Sequence, residues 1–200
     1  MGKIIENQLF LSPLTPIDRG VLLERLYPKG GTEQLMYGYL NPTERLEEII
    51  AADGKTLARL GFTHEQFAKT LEDIFFHEPK TIHGHRLIFW DYIHSPLCPW
   101  DDFCSVSPFD LSAKVTEIWL CNRKHYWKLR MLLWFWRNYE KRLLRLKKLV
   151  EKDWILVLSD LHPHLLREHR FCEGHKTPYR VDPERFLRYM GKNNIYPYIA

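Results

Sequence analysis

Two histidines and two cysteines in this sequence have the residue types and spacing of a tetrahedral metal site. His164 and His169 have four residues between them, which is the H-x4-H spacing of Cys2His2 zinc sites, and Cys98 and Cys104 flank the stretch PWDDF. Thiolate and imidazole groups together are donors that zinc prefers. The sequence therefore predicts a structural zinc ion held by Cys98, Cys104, His164 and His169.

The spacing of these four residues leaves other interpretations open. C-x5-C departs from the C-x2-C and C-x4-C pairs of strong zinc signatures, and 59 residues separate Cys104 from His164. His162 could replace His164 as a ligand, and Cys172 could replace either cysteine. Without a metal, the two cysteines would be buried thiols and the two histidines would lie on a helix surface.

A second histidine group could support hydrolysis. His83 and His85 are two residues apart, which places both side chains on one face of a strand, and His94 belongs to the same strand pair. Such histidines could bind a metal or act as general acid and base. They make a metal-dependent hydrolase the alternative function, with Asp160 or His162 as further candidates.

Asp160 and His162 end an apolar strand in WILVLSDLH, and this stretch resembles the first motif of metallophosphoesterases. That chemistry uses two metals to clamp a phosphate and needs further ligands on later strands. Only forty residues follow Asp160, and the Gly-Asp and Gly-Asn-His motifs of that family are absent from the sequence. A helix N-terminus capped by Ser159 or Asp160 is the favoured interpretation.

The basic residues are concentrated in one segment. Residues 122–152 contain 11 Lys or Arg and two Glu, a local balance of +9, whereas the remainder of the chain balances at −5. Such a segment could follow a phosphate backbone, with stacking faces from Trp127, Trp134 and Trp136. We expect contacts to nucleic acid from Arg137, Lys141, Arg142, Arg145 and Lys148. A solvated outer face and a homodimer through a 123–152 helix remain as alternatives.

The elements that must position these residues indicate an α+β fold, with a small mixed or antiparallel sheet packed by helices. We expect strands in HGHRLIFWDYI, KVTEIWLC and WILVL, helices in LHPHLLREH and ERFLRYM, and one long amphipathic basic helix over 123–152. One domain is expected over residues 1–200. It would comprise an irregular lead-in (1–40), a helical unit (41–78) and a sheet-plus-helix core (80–200).

Local signals place the helices of the helical unit. Asn41-Pro42 predicts the start of a first helix, and Asp53-Gly54 predicts a break in it. Gly61 predicts the end of the short helical piece that follows. Thr63 with Gln66 predicts a capping box that begins HEQFAKTLEDIFF. The stretch TLARLGFTHEQFAKTL resembles a helix-turn-helix, but its second helix carries one Lys against four acidic residues, which favours packing over DNA contact.

The composition and the chain's start bear on location. The sequence is 45% hydrophobic and 14% aromatic, as in globular proteins. No apolar run approaches the roughly 20 residues needed to span a bilayer. Glu6 and Pro13 interrupt the apolar core that a secretory signal would need. The four cysteines do not resemble a disulfide framework in a chain of this length. We expect a cytoplasmic protein without membrane contact.

The segments LGFTHEQFAKTLE, CPW and HLLREHRFCEG, followed by TPYRVDPE, resemble a group of small prokaryotic proteins of unknown function. The similarity covers most of the chain from residue 41 onward. It implies an intact single domain and nothing about chemistry. The sequence thus predicts a binding module with a structural zinc and a basic helix that contacts nucleic acid. A metal-dependent hydrolase and a metal-free dimeric interaction domain are the alternatives.

Overall fold

The computed structural model of the 200-residue chain describes residues 16–27, 39–77, 81–82, 85–92, 98–100, 115–121, 123–135, 148–175, 177 and 179–190. Its elements, in chain order, are α1 (Pro16–Leu26), α2 (Leu46–Leu60), α3 (His64–His77), β1 (Thr81–Ile82), β2 (His85–Tyr92), β3 (Val115–Cys121), α4 (Arg123–Phe135), β4 (Ile155–Ser159), α5 (Leu161–His169) and α6 (Pro183–Met190). Residues 148–151 are also helical. This is the α+β architecture that the sequence predicts.

The four strands form one antiparallel sheet in chain order, β1-β2-β3-β4. In β3 the side chains alternate between two buried faces, with Ile118 and Leu120 on one side and Trp119 and Cys121 on the other. Helices α2, α3, α5 and α6 cover the first face, and α4 with residues 148–151 covers the second. Because both faces are covered, β4 reads as the uninterrupted apolar run ILVL.

The capping signals around residue 62 are confirmed. The Thr63 backbone N–H donates to Gln66 Oε1 at 2.9 Å, and the Gln66 backbone N–H donates to Thr63 Oγ1 at 3.1 Å. Gly61 ends α2 with φ of 83°, a left-handed conformation that glycine adopts without the Cβ clash of other residues. These two signals set the α2–α3 turn.

The acidic surface of α3 packs within the protein. Arg167 of α5 donates to Glu65 at 3.0 Å and, through both terminal nitrogens, to Glu72 at 2.5 Å. On the opposite side of α3, Phe67 and Leu71 are fully buried in the core. This arrangement agrees with the packing interpretation of the helix-turn-helix-like stretch.

The prediction of an irregular lead-in is wrong over residues 16–26, which form α1. Proline is favoured at the first position of a helix, and Pro16 occupies that position. Leu22 and Leu26 are four residues apart and are buried in one cluster with Leu161 and Phe171. Their burial against distant segments stabilises a helix that the prolines and glycines of this region do not predict.

Two predictions for α2 are also wrong. The helix begins at Leu46, while Asn41 forms a turn in which its Oδ1 accepts from the Thr43 N–H at 3.3 Å. The helix also continues through Asp53-Gly54, because Asp53 is buried and receives hydrogen bonds from Arg180 at 2.5 and 3.2 Å. A tertiary ion pair thus overrides a local breaker signal.

The long helix over 123–152 stays a prediction. The structure describes its ends, α4 and residues 148–151, and residues 136–147 lie outside the described part of the chain. Four expected nucleic-acid contacts, Arg137, Lys141, Arg142 and Arg145, belong to that segment. Lys148 is described and exposed.

Candidate metal centre

Cys98, His164 and His169 come together in the structure. One ligand atom from each residue lies within 4.8 Å of the other two. The Cys98 Sγ is 3.4 Å from His169 Nε2, and the two imidazole rings are 5.2 Å apart at 77°. Within the described residues this is the one group of three or more His, Cys, Asp or Glu side chains with such geometry. It could hold a metal ion.

The two histidines share helix α5. Five residues advance about 7.5 Å along a helix axis, so rings 5.2 Å apart show that the side chains converge. His169 is the last helical residue, and Arg170 follows in the left-handed conformation with φ of 53°. The Phe171 N–H then bonds the Leu165 carbonyl at 3.1 Å, which closes the helix end directly below His169.

The third donor comes from the buried segment Cys98–Trp100. Trp100 stacks on the His169 ring at 4.1 Å with a 7° interplanar angle, and its edge contacts Phe171 at 5.7 Å. Arg25 of α1 donates to the Pro99 carbonyl at 3.3 Å. The segment is therefore held between α1 and α5, with Cys98 facing the two histidines.

Burial keeps both imidazoles in the neutral form. Desolvation, followed by the charge of His164, lowers the pKa of His169 to about 3. Desolvation also lowers the pKa of His164, against the opposing effect of Glu168. A neutral imidazole retains the lone pair that binds a metal ion. His164 is buried, so the interpretation of both histidines as helix-surface residues is wrong.

The structure thus unites three of the four predicted zinc ligands. The fourth, Cys104, lies outside the described residues, and its role stays a prediction. Trp100 and Phe171 pack beside the site, and neither was predicted from the sequence. No spacing rule points to them, because their contacts depend on how the 98–100 segment packs on α5.

His162, the alternative to His164, belongs to a different network. The Ser159 backbone N–H donates to His162 Nδ1 at 2.7 Å, so Nδ1 carries a lone pair and Nε2 carries the proton. The Nε2–H then donates to Glu173 Oε1 at 3.1 Å. Glu173 is itself buried and accepts from the Thr177 hydroxyl at 3.1 Å. Both nitrogens of His162 are therefore engaged, and the alternative is wrong.

Cys172, the alternative to either cysteine, is also directed elsewhere. It is fully buried in the core cluster that contains Leu57 and Phe67. Burial first, and then the nearby charge of Asp53, raises the pKa of its thiol well above the usual value. A thiol held in the protonated state beside a carboxylate is a poor metal ligand.

The residues of the hydrolase alternative do not assemble in the described part of the chain. His83 and His94 lie outside it, and the half-buried His85 ring packs against Tyr189 at 4.7 Å. Asp160 and His162 belong to no group of metal-ligand geometry there.

The helix start predicted at Ser159-Asp160 is confirmed, but the side-chain cap expected there does not form. Asp160 takes the cap position with helical dihedrals and makes no capping hydrogen bond. The Ser159 hydroxyl lies 3.0 Å from His162 Nδ1, so the backbone N–H and the hydroxyl of Ser159 both contact the histidine. The strand-to-helix turn is therefore closed by His162.

Comparisons with known proteins find no matching family model, no matching curated protein and no matching solved structure. The resemblance to a group of small prokaryotic proteins therefore stays a prediction. In the part of the chain that the structure describes, every helix is too short or too polar to cross a bilayer.

Proposed function

We propose that the protein binds a zinc ion through Cys98, His164 and His169, and that the ion is structural. The observation that carries this proposal is the convergence of three ligand atoms within 4.8 Å from segments that lie 71 residues apart, counted from Cys98 to His169. The ion would pin the Cys98–Trp100 segment to α5.

The donor set favours zinc over the harder cations. One sulfur and two imidazole nitrogens suit zinc and copper, whereas magnesium and calcium prefer oxygen ligands. Cys98 belongs to an apolar cluster that includes Leu22, Leu165 and Phe171, and His164 is also buried. A closed, tetrahedral site with a second thiolate is compatible with such surroundings, because two thiolates neutralise the two positive charges of zinc.

The fourth ligand separates the structural proposal from the hydrolase alternative. Cys104 follows Trp100 by four residues, a chain length that reaches at most about 14 Å, and we propose its thiolate as this ligand. Four protein ligands would make the site structural. A water molecule in the fourth position would make it a catalytic type of site and support the hydrolase instead.

Metal analysis on protein purified without a histidine tag tests the proposal. We expect about one zinc per chain in the wild type, and loss of that zinc in Cys98→Ser and in His169→Ala, since structural sites need all of their ligands. Cys121→Ala is the matched control, because Cys121 is a buried thiol of the sheet outside the ligand group. Absence of zinc from the wild type, and failure to take up added zinc, would contradict the proposal.

Cobalt substitution resolves the fourth ligand. Cobalt(II) in a tetrahedral site with two thiolates gives stronger sulfur-to-metal charge-transfer absorption than a site with one thiolate. We expect Cys104→Ser to weaken this band and to reduce zinc affinity. An unchanged spectrum in Cys104→Ser would exclude Cys104, and a water ligand in its place would favour the hydrolase.

A further inference from the structure

Helix α4 exposes a tryptophan that the core does not use. Trp127 is 63% exposed and Met131 is 62% exposed, whereas Leu129 of the same helix is fully buried against the sheet. Trp127, Lys128 and Met131 follow Lys124 by three, four and seven residues, so the four side chains share one helix face. Large aromatic side chains are mostly buried in folded proteins, so this exposure is informative.

One basic side chain contacts this ring, and two others contact the ring of Trp154. The Arg130 guanidinium lies 5.7 Å from the Trp127 ring, and Lys128 Nζ lies 5.1 Å from the neighbouring Trp154 ring. Lys152 Nζ approaches Trp154 at 5.7 Å, and Lys148 is exposed one turn earlier in the chain. These groups form one surface, which we call the Trp127 surface and which consists of Lys124, Trp127, Lys128, Arg130, Met131, Lys148, Lys152 and Trp154.

Acidic groups do little to neutralise the Trp127 surface. Residues 123–135 contain no Asp or Glu. Asp153 is engaged by Arg185, whose Nε lies 2.6 Å from its carboxylate, and by Arg188 at 3.9 Å. Glu151 is exposed nearby and is one negative charge against the five Lys and Arg of the surface. A strongly positive surface with an open aromatic ring remains.

We propose that the Trp127 surface binds single-stranded nucleic acid. A base stacks on the exposed face of Trp127, and Lys128, Arg130, Lys148 and Lys152 contact the phosphates. Aromatic rings inside basic surfaces are the usual means of binding single strands, since every base offers a flat face. The chemistry is shared by RNA and DNA, because it needs a base face and a phosphate and does not use the 2′-hydroxyl.

The charge of the surface argues against a second copy of the chain as its occupant. Two copies meeting here would bring like charges together, which costs free energy unless counter-charges separate them. A duplex is a poorer ligand than a single strand, since its bases are stacked on one another and offer no free face to Trp127.

Fluorescence anisotropy with labelled oligouridine and oligodeoxythymidine tests the proposal. Strands of about 12 nucleotides are suitable, because single-strand binding sites usually span about 4–16 nucleotides. We expect both single strands to bind. Trp127→Ala should weaken binding about tenfold, because stacking of one base contributes on this order. Trp127→Phe retains an aromatic face and should lose less. The side chain is exposed, so thermal melting of both variants should match that of the wild type.

Phe76→Ala is the matched control. Phe76 is 79% exposed, but it lies on α3, which carries three acidic residues against one Lys and so offers no basic cluster to hold phosphate. Its removal deletes a comparable exposed ring from an acidic setting, and we expect unchanged affinity. Equal losses in Phe76→Ala and Trp127→Ala would overturn the assignment of Trp127.

The salt dependence tests the basic residues. Four phosphate contacts predict that log K falls with log salt with a slope of about −3 for a single strand. The double variant Lys128→Gln, Lys152→Gln should reduce that slope by about 1.4, since each lost contact removes roughly 0.7. An unchanged slope would remove these lysines from the interface.

Three further results would overturn the proposal. The first is equal affinity of Trp127→Ala and wild type for both single strands, and the second is tighter binding of a duplex of the same length. The third is a dimer in the wild type that dissociates in Trp127→Ala, which would assign the surface to self-association. None of these depends on the metal centre, because α4 and α5 cover opposite faces of the sheet. Cys98→Ser should therefore retain single-strand binding.

Discussion

His162 and His164 stand two residues apart on α5, and both are buried, yet the protein uses them in different ways. His162 accepts from the Ser159 backbone at Nδ1 and donates to Glu173 at Nε2, so neither nitrogen is left for a ligand. His164 instead faces Cys98 and His169, in a group whose donor atoms lie within 4.8 Å of one another. The same residue type therefore closes a turn at one position and contributes to a candidate ligand group at the other.

The difference shows that the ability of a buried histidine to bind metal depends on its partners more than on its burial. A histidine paired with a backbone amide and a carboxylate has its tautomer fixed and its lone pair used. A histidine that converges with a thiol and a second imidazole has neighbours that all donate to metals. Three experiments separate the two cases by their dependence on zinc.

The largest effect is expected from His162→Ala. The substitution leaves the Glu173 carboxylate and the Ser159 N–H buried with one partner fewer each, and each such loss costs about 1–3 kcal/mol. We expect the free energy of unfolding to fall by about 3–4 kcal/mol, equally with zinc and with a chelator. Urea denaturation in both buffers measures this. A loss that appears only in zinc would place His162 at the metal after all.

Removal of zinc should have the next largest effect. At a free zinc concentration of 100 times the dissociation constant, binding stabilises the folded state by about 2.7 kcal/mol. We expect a chelator to remove this stabilisation from the wild type and to change His164→Ala very little. The measured quantity is the free energy of unfolding of the wild type minus that of His164→Ala. This difference in zinc is compared with the same difference in chelator. A value near zero would mean that His164 is not a ligand.

Gly174→Ala should lower the free energy of unfolding by a smaller amount. Gly174 follows Glu173, the partner of His162, so this loss belongs to the network that does not depend on zinc. The Gly174 N–H bonds the Tyr39 carbonyl at 2.8 Å, and a Cβ there would meet the Tyr39 and Leu40 backbone at 3.1 Å and collide with the Glu44 carboxylate. We expect a loss of about 2 kcal/mol from overpacking, independent of zinc, in the same urea experiment. If the Gly174→Ala variant is as stable as the wild type, the backbone of residues 39–40 moves to make room for the added methyl group.

Local signals account for much of the fold. The capping box at Thr63 and Gln66, the helix end at Gly61, the β-branched and aromatic residues of β3 and the apolar run of β4 are local signals, and the sequence predicts each element from them. The helix LHPHLLREH agrees with the bounds of α5 at both ends. Such features are readable because their causes lie within a few residues of one another.

Local sequence signals do not predict the features that depend on a partner far along the chain. The helix passes through Asp53 because Arg180 meets it there, and α1 forms because Leu22 and Leu26 pack against α5 and Phe171. The role of His162 depends on Glu173, which a left-handed backbone with φ of 66° directs toward it. The convergence of Cys98 with His164 and His169 was predicted from donor type and the H-x4-H spacing, but the partner that engages His162 was not.

The ion pair between Asp53 and Arg180 has a consequence for the order of folding. The two residues are separated by 127 positions, and α2 can form from local contacts long before Arg180 arrives. If α2 docked early, it would bury a carboxylate without its counter-charge, a state that costs several kcal/mol. We therefore expect α2 to complete its docking only when the segment that carries Arg180 is available.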